Sequence, residues 1–274
     1  LSIVFQPIVG AQSLEPEAHE VLLRWDNPVL GRVGPDEFIC IAEETGYIVE
    51  IGNFVLESAL REFSTRQVRG KIAVNVSLRQ LIAPGLLETV QEGLQRYEIH
   101  PGSLVLEVTE SIFEDRNRSA INMVLTDLSK AGIEIHIDDF GTGYSSLSRL
   151  HEMPISALKI DKSFVQRMDD QARAIIEGSV LIAGKFGIST IAEGVETTEQ
   201  AMLLQDMGVT YLQGYLFGKP ESFFVDLKTL GAPDAELSQP RPVPPLCRQT
   251  NAEPENAKPG SRDLVTKACQ AFCL

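Results

Sequence analysis

Short apolar runs with the character of β-strands alternate with helix-length segments along most of this 274-residue chain. The runs cover residues 3–9, 19–25, 71–76, 104–109, 133–137, 157–160, 188–192 and 210–212. From the third run onward, the intervening segments, such as 117–131 and 172–186, are long enough for a helix. Such alternation is typical of βαβ units with a parallel sheet. Eight runs within about 225 residues predict an α/β fold, a TIM-type (β/α)₈ barrel.

The first connection departs from this pattern. Residues 10–18 separate the first two runs and contain Gly10 and Pro16, so they are too short for a crossover helix. The sequence therefore predicts one antiparallel strand, with β1 paired against β2. A doubly wound open sheet is the competing architecture for the same alternation.

The composition changes near Gly231. The last 44 residues hold seven of the 15 prolines, and residues 240–245 read Pro-Arg-Pro-Val-Pro-Pro. Pro-rich polar segments of this kind bury too little apolar surface to form a core. We expect a barrel domain over residues 1–230 and a flexible C-terminal tail over residues 231–274.

Charge and cysteine content limit the classes of partner. The net charge is −14 and the pI is about 4.8, which argues against contact with DNA, RNA or an anionic membrane surface. No stretch approaches the roughly 20 apolar residues that span a bilayer. The chain starts within a strand-like run, so we expect it to be part of a longer protein. Three of the four cysteines lie in the tail without a disulfide or zinc pattern, which predicts a cytoplasmic location.

Polar side chains lie at or near the ends of most predicted strands, where a barrel active site is built. They are Glu20, Asn75, Glu107 and Glu110, Asp138 and Asp139, Lys159 and Asp161, Glu193 and Glu196, and Gln213. A lone carboxylate there is most often a helix cap, but six strands in succession that end this way are hard to explain by chance. Oxygen ligands without Cys or His favour Mg²⁺ or Mn²⁺ over zinc. His136 is interpreted as barrel filler.

Adjacent aspartates are the strongest single signal in this set. Asp138 and Asp139 precede a glycine-punctuated segment, Gly141-Thr142-Gly143. Neighbouring carboxylates repel unless a cation lies between them or one stays protonated. A pair of divalent ions with a shared carboxylate is a common reason for such a pair, and its usual chemistry is phosphoester hydrolysis.

These residues carry a resemblance to the EAL-domain cyclic-di-GMP phosphodiesterases. The resemblance runs from Phe5-Gln6-Pro7-Ile8 to Gln213-Gly214-Tyr215 and on to Pro220. It includes the segments NVS at 75–77, EVTE at 107–110, DDFGTGYSS at 138–146, KID at 159–161 and AEGVET at 192–197. One departure is Val21 in Glu20-Val21-Leu22, where the family usually has alanine. Alternation points Val21 toward the outer helices, so we expect a packing adjustment there.

The resemblance implies hydrolysis of one phosphodiester bond of cyclic di-GMP to linear pGpG, with two Mg²⁺ or Mn²⁺ ions activating a water for in-line attack. The implied ligands of one ion are Glu20, Asn75, Glu107 and Asp138, and those of the other are Asp138, Asp139 and Glu193. Implied catalytic supports are Lys159, which orients the water, Gln213, which holds a second-sphere water, Glu196, which helps to fix Lys159, and Glu110, which bonds within the loop around Ser145. Implied substrate contacts are Gln6, Leu22 and Arg24.

Two other functions fit the same residues. One is a non-catalytic cyclic-di-GMP receptor that signals through a partner, and the other is a barrel phosphoesterase with a different substrate. The resemblance also implies a homodimer and an upstream sensor or cyclase domain in the full-length protein.

Overall fold

Eight strands close into a barrel whose polar end gathers the residues singled out above. A computed structural model of the chain describes residues 1–113, 115–143 and 150–222. The strands of the sheet are β1 (Ser2–Gly10), β2 (Pro16–Asn27), β3 (Gly31–Val33), β4 (Lys71–Asn75), β5 (Leu104–Thr109), β6 (Glu134–Phe140), β7 (Ala157–Ile160), β8 (Ser189–Ala192) and β9 (Tyr211–Gln213). Their order is β1-β9-β8-β7-β6-β5-β4-β2-β3, and a β1–β2 pairing closes the ring.

Strand β1 runs against both of its neighbours. It pairs antiparallel with β2, with Gln6 opposite Glu20, and antiparallel with β9, with Ile8 opposite Gln213. The pairings from β2 through β4 to β9 are all parallel. The predicted barrel with an antiparallel β1–β2 pair is therefore confirmed, and the open-sheet alternative is excluded by the closure. Strand β3, which the sequence analysis did not predict, adds to the edge of β2.

Helices cover the outside of the barrel. In the part of the chain that the structure describes they are α1 (Pro35–Thr45), α2 (Ile48–Thr65), α3 (Leu78–Ile82), α4 (Leu86–Arg96), α5 (Arg118–Lys130), α6 (Lys162–Arg167), α7 (Asp170–Phe186) and α8 (Thr198–Asp206). Local sequence sets their ends: Ser77 and Thr197 form capping boxes with the glutamine three residues later, and Gly46 ends α1 with φ of +87°. None of the described helices has the length and apolar character to cross a bilayer.

The main apolar core lies between strands and helices, and the barrel interior is separate from it. Leu106, Ile135 and Ile137 pack outward with helix residues such as Leu56 and Leu125 in one buried cluster. Val21 belongs to this cluster, so it points away from the barrel lumen as predicted.

Small and apolar side chains fill the lower barrel interior, including Ala18, Ala157 and Ile191. Because side chains alternate along each strand, the next inward positions on β2 and β7 are Glu20 and Lys159. This alternation places the polar residues above an apolar floor, at the carboxyl ends of the strands. The predicted tail, residues 231–274, lies outside the described residues.

Candidate active site

A buried ammonium group lies at the centre of the polar cluster. Lys159 is fully buried, and its Nζ lies 2.7 Å from Glu193 Oε1, 2.9 Å from Glu107 Oε2, 3.2 Å from Asp138 Oδ1 and 3.5 Å from Glu20 Oε2. Four carboxylates from four strands or strand ends therefore converge on one cation. Charges buried at this depth are tolerated in proteins when they are paired in this way.

Two amides hold the carboxylate of Glu20. Asn75 Nδ2 donates to Glu20 Oε1 at 2.8 Å, and Gln213 Nε2 donates to Glu20 Oε2 at 2.6 Å. Gln213 Nε2 also lies 3.3 Å from Gln6 Oε1, and Gln6 donates to the carbonyl of Gly218 at 3.2 Å. The structure thus joins Gln6, Glu20, Asn75 and Gln213 in one network with fixed side-chain orientations.

A bulge in β6 brings the adjacent aspartates to the same site. In the β6–β7 pairing, Ile137 lies opposite Leu158 and Phe140 opposite Ile160, so that Asp138 and Asp139 together face Lys159. Asp139 has φ of +55°, in the left-handed region that Asp tolerates better than most residues. A regular strand would direct two neighbours to opposite faces. Oxygen atoms of Asp138, Asp139 and Glu193 instead all lie within 4.8 Å of one another.

Burial and like charges shift the acidity of this cluster. Desolvation and the negative charges of Asp138 and Asp161 raise the pKa of Asp139 to about 6. Desolvation, followed by the charges of Asp138 and Glu20, raises the pKa of Glu193 to about 8. Desolvation also raises the pKa of Glu107 well above its usual range. Lys159 and the two amides outweigh desolvation at Glu20 and lower its pKa.

The donor set fits hard divalent cations. The clustered donors are carboxylate and carboxamide oxygens, which Mg²⁺ and Mn²⁺ prefer. Glu107 Oε1 is buried and has no hydrogen-bond partner among the described residues, so it is free to accept a cation. Burial and, to a smaller extent, neighbouring carboxylates raise the pKa values of Asp139, Glu193 and Glu107, and a bound cation would stabilise the ionised forms. These residues therefore fit a metal centre.

Glu110 supports the segment after the aspartates. Its Oε2 accepts hydrogen bonds from the backbone N–H groups of Gly141 at 3.1 Å and Gly143 at 3.3 Å. A Cβ added at Gly143 would lie only 3.3 Å from the carboxyl carbon of Glu110, so the close approach favours glycine. The contact with Ser145 expected from the sequence lies outside the described residues.

Replacing Glu110 with alanine is expected to lower metal affinity about 10-fold and to leave the affinity for the nucleotide that the resemblance implies nearly unchanged, because the lost contacts hold the aspartate segment. Calorimetric titrations with Mn²⁺ and with nucleotide measure the two effects separately. Glu110→Gln is the matched control, since its amide oxygen can still accept from both glycines. A loss of nucleotide affinity with unchanged Mn²⁺ affinity would contradict this role.

The predicted substrate contacts lie beside the cluster. Glu20, Leu22 and Arg24 share one face of β2 by alternation, and Gln6 is the partner of Glu20 across the β1–β2 pair. Arg24 is half-buried, and its Nη1 donates to the carbonyl of Leu23 at 2.8 Å. Desolvation and the neighbouring Arg32 lower the pKa of Arg24. This geometry leaves a half-buried arginine on the same face of β2 as Glu20, where an anion would stabilise its charge.

Two of the polar strand-end residues lie apart from Lys159. Glu196 is exposed, and among the described residues its carboxylate contacts Gln166 at 3.5 Å, so a role in fixing Lys159 stays a prediction. Asp161 caps α6 by accepting from the N–H of Ser163 at 3.0 Å. Its negative charge also contributes to the raised pKa of Asp139.

Sequence reasoning missed a polar chain beneath the site. Lys71 Nζ contacts Glu134 Oε1 at 2.6 Å, and Glu134 Oε2 lies 3.7 Å from Nε2 of the buried His136. The spacing of Glu134, His136 and Asp138 at every second residue was an available signal that all three share one strand face.

Comparisons with known proteins agree with this geometry. The EAL domain profile matches residues 1–220. The bifunctional diguanylate cyclase/cyclic di-GMP phosphodiesterase MucR of Pseudomonas aeruginosa is 40% identical over 226 residues, which cover 80% of this chain and 33% of MucR. The cyclic di-GMP phosphodiesterase PdeR of Escherichia coli K12 is 35% identical over 225 residues, covering 80% of this chain and 34% of PdeR. This chain thus spans about a third of these curated relatives.

A solved structure gives the same result in three dimensions. The PaMucR phosphodiesterase in complex with c-di-GMP superposes with a TM-score of 0.76 at 40% identity. The match covers 80% of this chain and 91% of that structure.

Proposed function

Because this chain belongs to the EAL domain family, we propose that it hydrolyses one phosphodiester bond of cyclic di-GMP to linear pGpG with two divalent cations. The observation that carries this proposal is the intact acidic centre. Glu20, Glu107, Asp138 and Glu193 surround a single ammonium group, and Asp139 lies beside Asp138 and Glu193. With all five carboxylates and the ammonium ionised, the cluster has a formal charge of −4, which two divalent cations would neutralise.

The residues of the chain divide the work of such a reaction. Glu20, Asn75, Glu107 and Asp138 would hold one cation, and Asp138, Asp139 and Glu193 would hold the other. When bound, these cations would supply Lewis-acid polarisation of the phosphate and activation of a water.

Lys159 is placed to stabilise negative charge that develops on the phosphate, because its ammonium group is buried and pre-oriented. Gln213 and Asn75 fix Glu20, while Arg24 offers a planar fork to a phosphate. Gln6 and Leu22 border the same face.

A turnover assay with a metal titration tests this function. Purified protein with Mg²⁺ or Mn²⁺ is expected to convert cyclic di-GMP to pGpG at neutral to alkaline pH, and chelation with EDTA is expected to stop the reaction. Intact cyclic di-GMP after incubation with either metal would overturn the proposal.

Metal affinity is expected to rise with pH between about 6 and 8. Asp139 and Glu193, with pKa values of about 6 and about 8, must lose protons before they bind a cation. Proton linkage also makes the stability of the metal-free protein depend on pH. Between pH 4.5, the ordinary pKa of the group, and about 8, the metal-free folded state keeps a proton on Glu193 that the unfolded chain has lost. The stability of the metal-free protein therefore falls as pH rises through this window.

Calorimetry in buffers of different ionisation enthalpy measures the protons released on Mn²⁺ binding at each pH. Release that decreases above pH 8 fits the expectation. Metal affinity that is constant from pH 5.5 to pH 8.5 would contradict it.

A receptor without turnover is the second candidate, and one observation favours it. Lys159 already neutralises part of the acidic cluster, so a nucleotide site could form without added metal. Tight binding of cyclic di-GMP with no hydrolysis, unchanged by Mg²⁺ or Mn²⁺, would select the receptor. A competition panel of cyclic mononucleotides separates both from a phosphoesterase with another substrate.

The assembly and setting of the chain are part of the proposal. Since the chain spans about a third of MucR and PdeR, we infer that it works beside another domain, such as a sensor or a cyclase. We also propose a homodimer in the cytoplasm. Light scattering of the purified chain measures its oligomeric state.

A further inference from the structure

We propose that His136 is a positioning residue that holds Glu107 Oε1 ready for a cation, supported from below by Glu134 and Lys71. This inference rests on the metal centre of the proposed function. It concerns a residue outside the ligand set, whose neighbours define a continuous polar chain into the lower barrel.

Register and alternation bring His136 to Glu107. The two residues are direct partners in the parallel β5–β6 pair, so their side chains share the inner face. His136 Nδ1 lies 4.0 Å from Glu107 Oε1, and both atoms are buried without a hydrogen-bond partner among the described residues. On the other side, His136 lies opposite Ala157, whose small side chain leaves room for the ring.

The other oxygen of Glu107 is already engaged. Glu107 Oε2 accepts from Lys159 Nζ at 2.9 Å, so Oε1 is the atom that remains for a cation. The imidazole of His136 lies beside this free atom, with its Nδ1 4.0 Å away. With its proton on Nδ1, the neutral ring presents a donor to Glu107 Oε1, and burial strengthens this electrostatic contact, which an apolar side chain could not make.

An ion pair lies on the other side of His136. Its Nε2 lies 3.7 Å from Glu134 Oε2, and the opposite oxygen of Glu134 accepts from Lys71 Nζ at 2.6 Å. The order along the barrel is therefore ammonium, carboxylate, imidazole, carboxylate, ammonium, from Lys71 to Lys159. Metal ligands that are oriented by outer hydrogen-bonding partners typically lose about 10- to 100-fold in metal affinity or activity when the partner is removed.

Three substitutions at position 136 separate the contributions of the ring. His136→Leu keeps much of the volume but removes both nitrogens. His136→Asn places an amide near the position of Nδ1, toward Glu107, whereas His136→Gln reaches the position of Nε2, toward Glu134. His100→Asn is the matched control, because His100 is exposed and caps a 3₁₀ turn through an acceptor atom that asparagine also offers.

The measured quantities are the Mn²⁺ dissociation constant of the full chain by calorimetry and the melting temperature of the metal-free protein. We expect the Leu and Gln variants to bind Mn²⁺ about 10- to 100-fold more weakly, and the Asn variant to stay within about threefold of the unaltered chain. In turnover assays, kcat of the Leu variant should recover at saturating Mn²⁺ with an unchanged KM for cyclic di-GMP.

Equal Mn²⁺ affinity of the Leu variant and the unaltered chain would overturn the role of His136 and leave the proposed function standing. If all three variants lose Mn²⁺ affinity and melting temperature in parallel, His136 has a merely structural role, and this outcome would also overturn the proposal. If the unaltered chain binds no Mn²⁺, both proposals fail. If the Leu variant does not fold, Glu134→Gln tests the same support. We expect this variant to bind Mn²⁺ several-fold more weakly, and an unchanged Mn²⁺ affinity would overturn the proposal.

Discussion

Glu20→Ala is expected to lower turnover of cyclic di-GMP at least about 100-fold while the chain stays folded, a loss at or beyond the range caused by removing an outer-shell partner. Glu20 is the acceptor for Asn75, Gln213 and Lys159, so its carboxylate connects side chains from three strands that are not neighbours in the barrel. Without this carboxylate, the amides of Asn75 and Gln213 have no charged group to orient, and the cation that Glu20 would hold loses a ligand.

The cost in stability is expected to be modest. The substitution removes one of four negative charges around Lys159, and among the described residues it leaves Gln213 Nε2 with its longer contact to Gln6. An unsatisfied buried polar group costs about 1–3 kcal/mol, which a protein of this size can absorb. Chemical denaturation and a pGpG assay measure both quantities.

Glu44→Ala provides the matched control for this experiment. Glu44 is exposed in the last turn of α1, so its loss should alter neither turnover nor stability appreciably. Turnover retained by the Glu20 variant at low metal concentration would mean that the assignment of Glu20 to the metal centre is wrong.

Lys159→Met is expected to destabilise the metal-free protein by about 3–5 kcal/mol, the usual cost of removing one partner from a buried ion pair. The fully buried ammonium is the only cation within 4 Å of these carboxylates in the described part of the chain. The variant leaves the carboxylates facing one another, and it is also expected to lose turnover because charge on the phosphate is no longer stabilised.

Divalent cations should restore part of the stability of this variant. At 100 times the dissociation constant, a ligand that binds only the folded state contributes about 2.7 kcal/mol. Thermal melts with and without Mn²⁺ measure the recovery. Lys130→Met is the matched control, since its ion pair with Asp127 is exposed and worth less than about 1 kcal/mol. A metal-free melting temperature of Lys159→Met equal to that of the control would refute the central role of this ammonium.

The barrel could be predicted because the spacing of apolar residues along a strand or a helix follows directly from which of its faces are buried. Eight strands lie close to their predicted positions, and the short residue 10–18 connection was enough to predict the reversed strand. Strand β3 was missed because three residues at an edge carry no periodic signal. Asn27 accepts N–H bonds from Val29 and Leu30 to make the turn, a local arrangement that only the structure displays.

The site was harder to predict than the fold. Strand-end positions placed the carboxylates at one end of the barrel, but alternation alone would have separated Asp138 from Asp139. The bulge and the positive φ of Asp139 bring them together, and neither can be read from a period of two. Similarly, His136 looked like filler because its partner Glu107 lies 29 residues away in sequence, and the strand register that joins them is a property of the folded sheet.

The reversed direction of β1 also determines where the chain enters the barrel. In a barrel of parallel strands the first residue lies at the floor, but Ser2 pairs with Arg24, at the end where substrate would arrive. The N–H and carbonyl groups of Phe5 bond to Glu221, which brings the far end of the described chain to the same rim. Ser2 and Glu221 therefore both lie at the rim of the entrance, at the end of the barrel opposite its apolar floor.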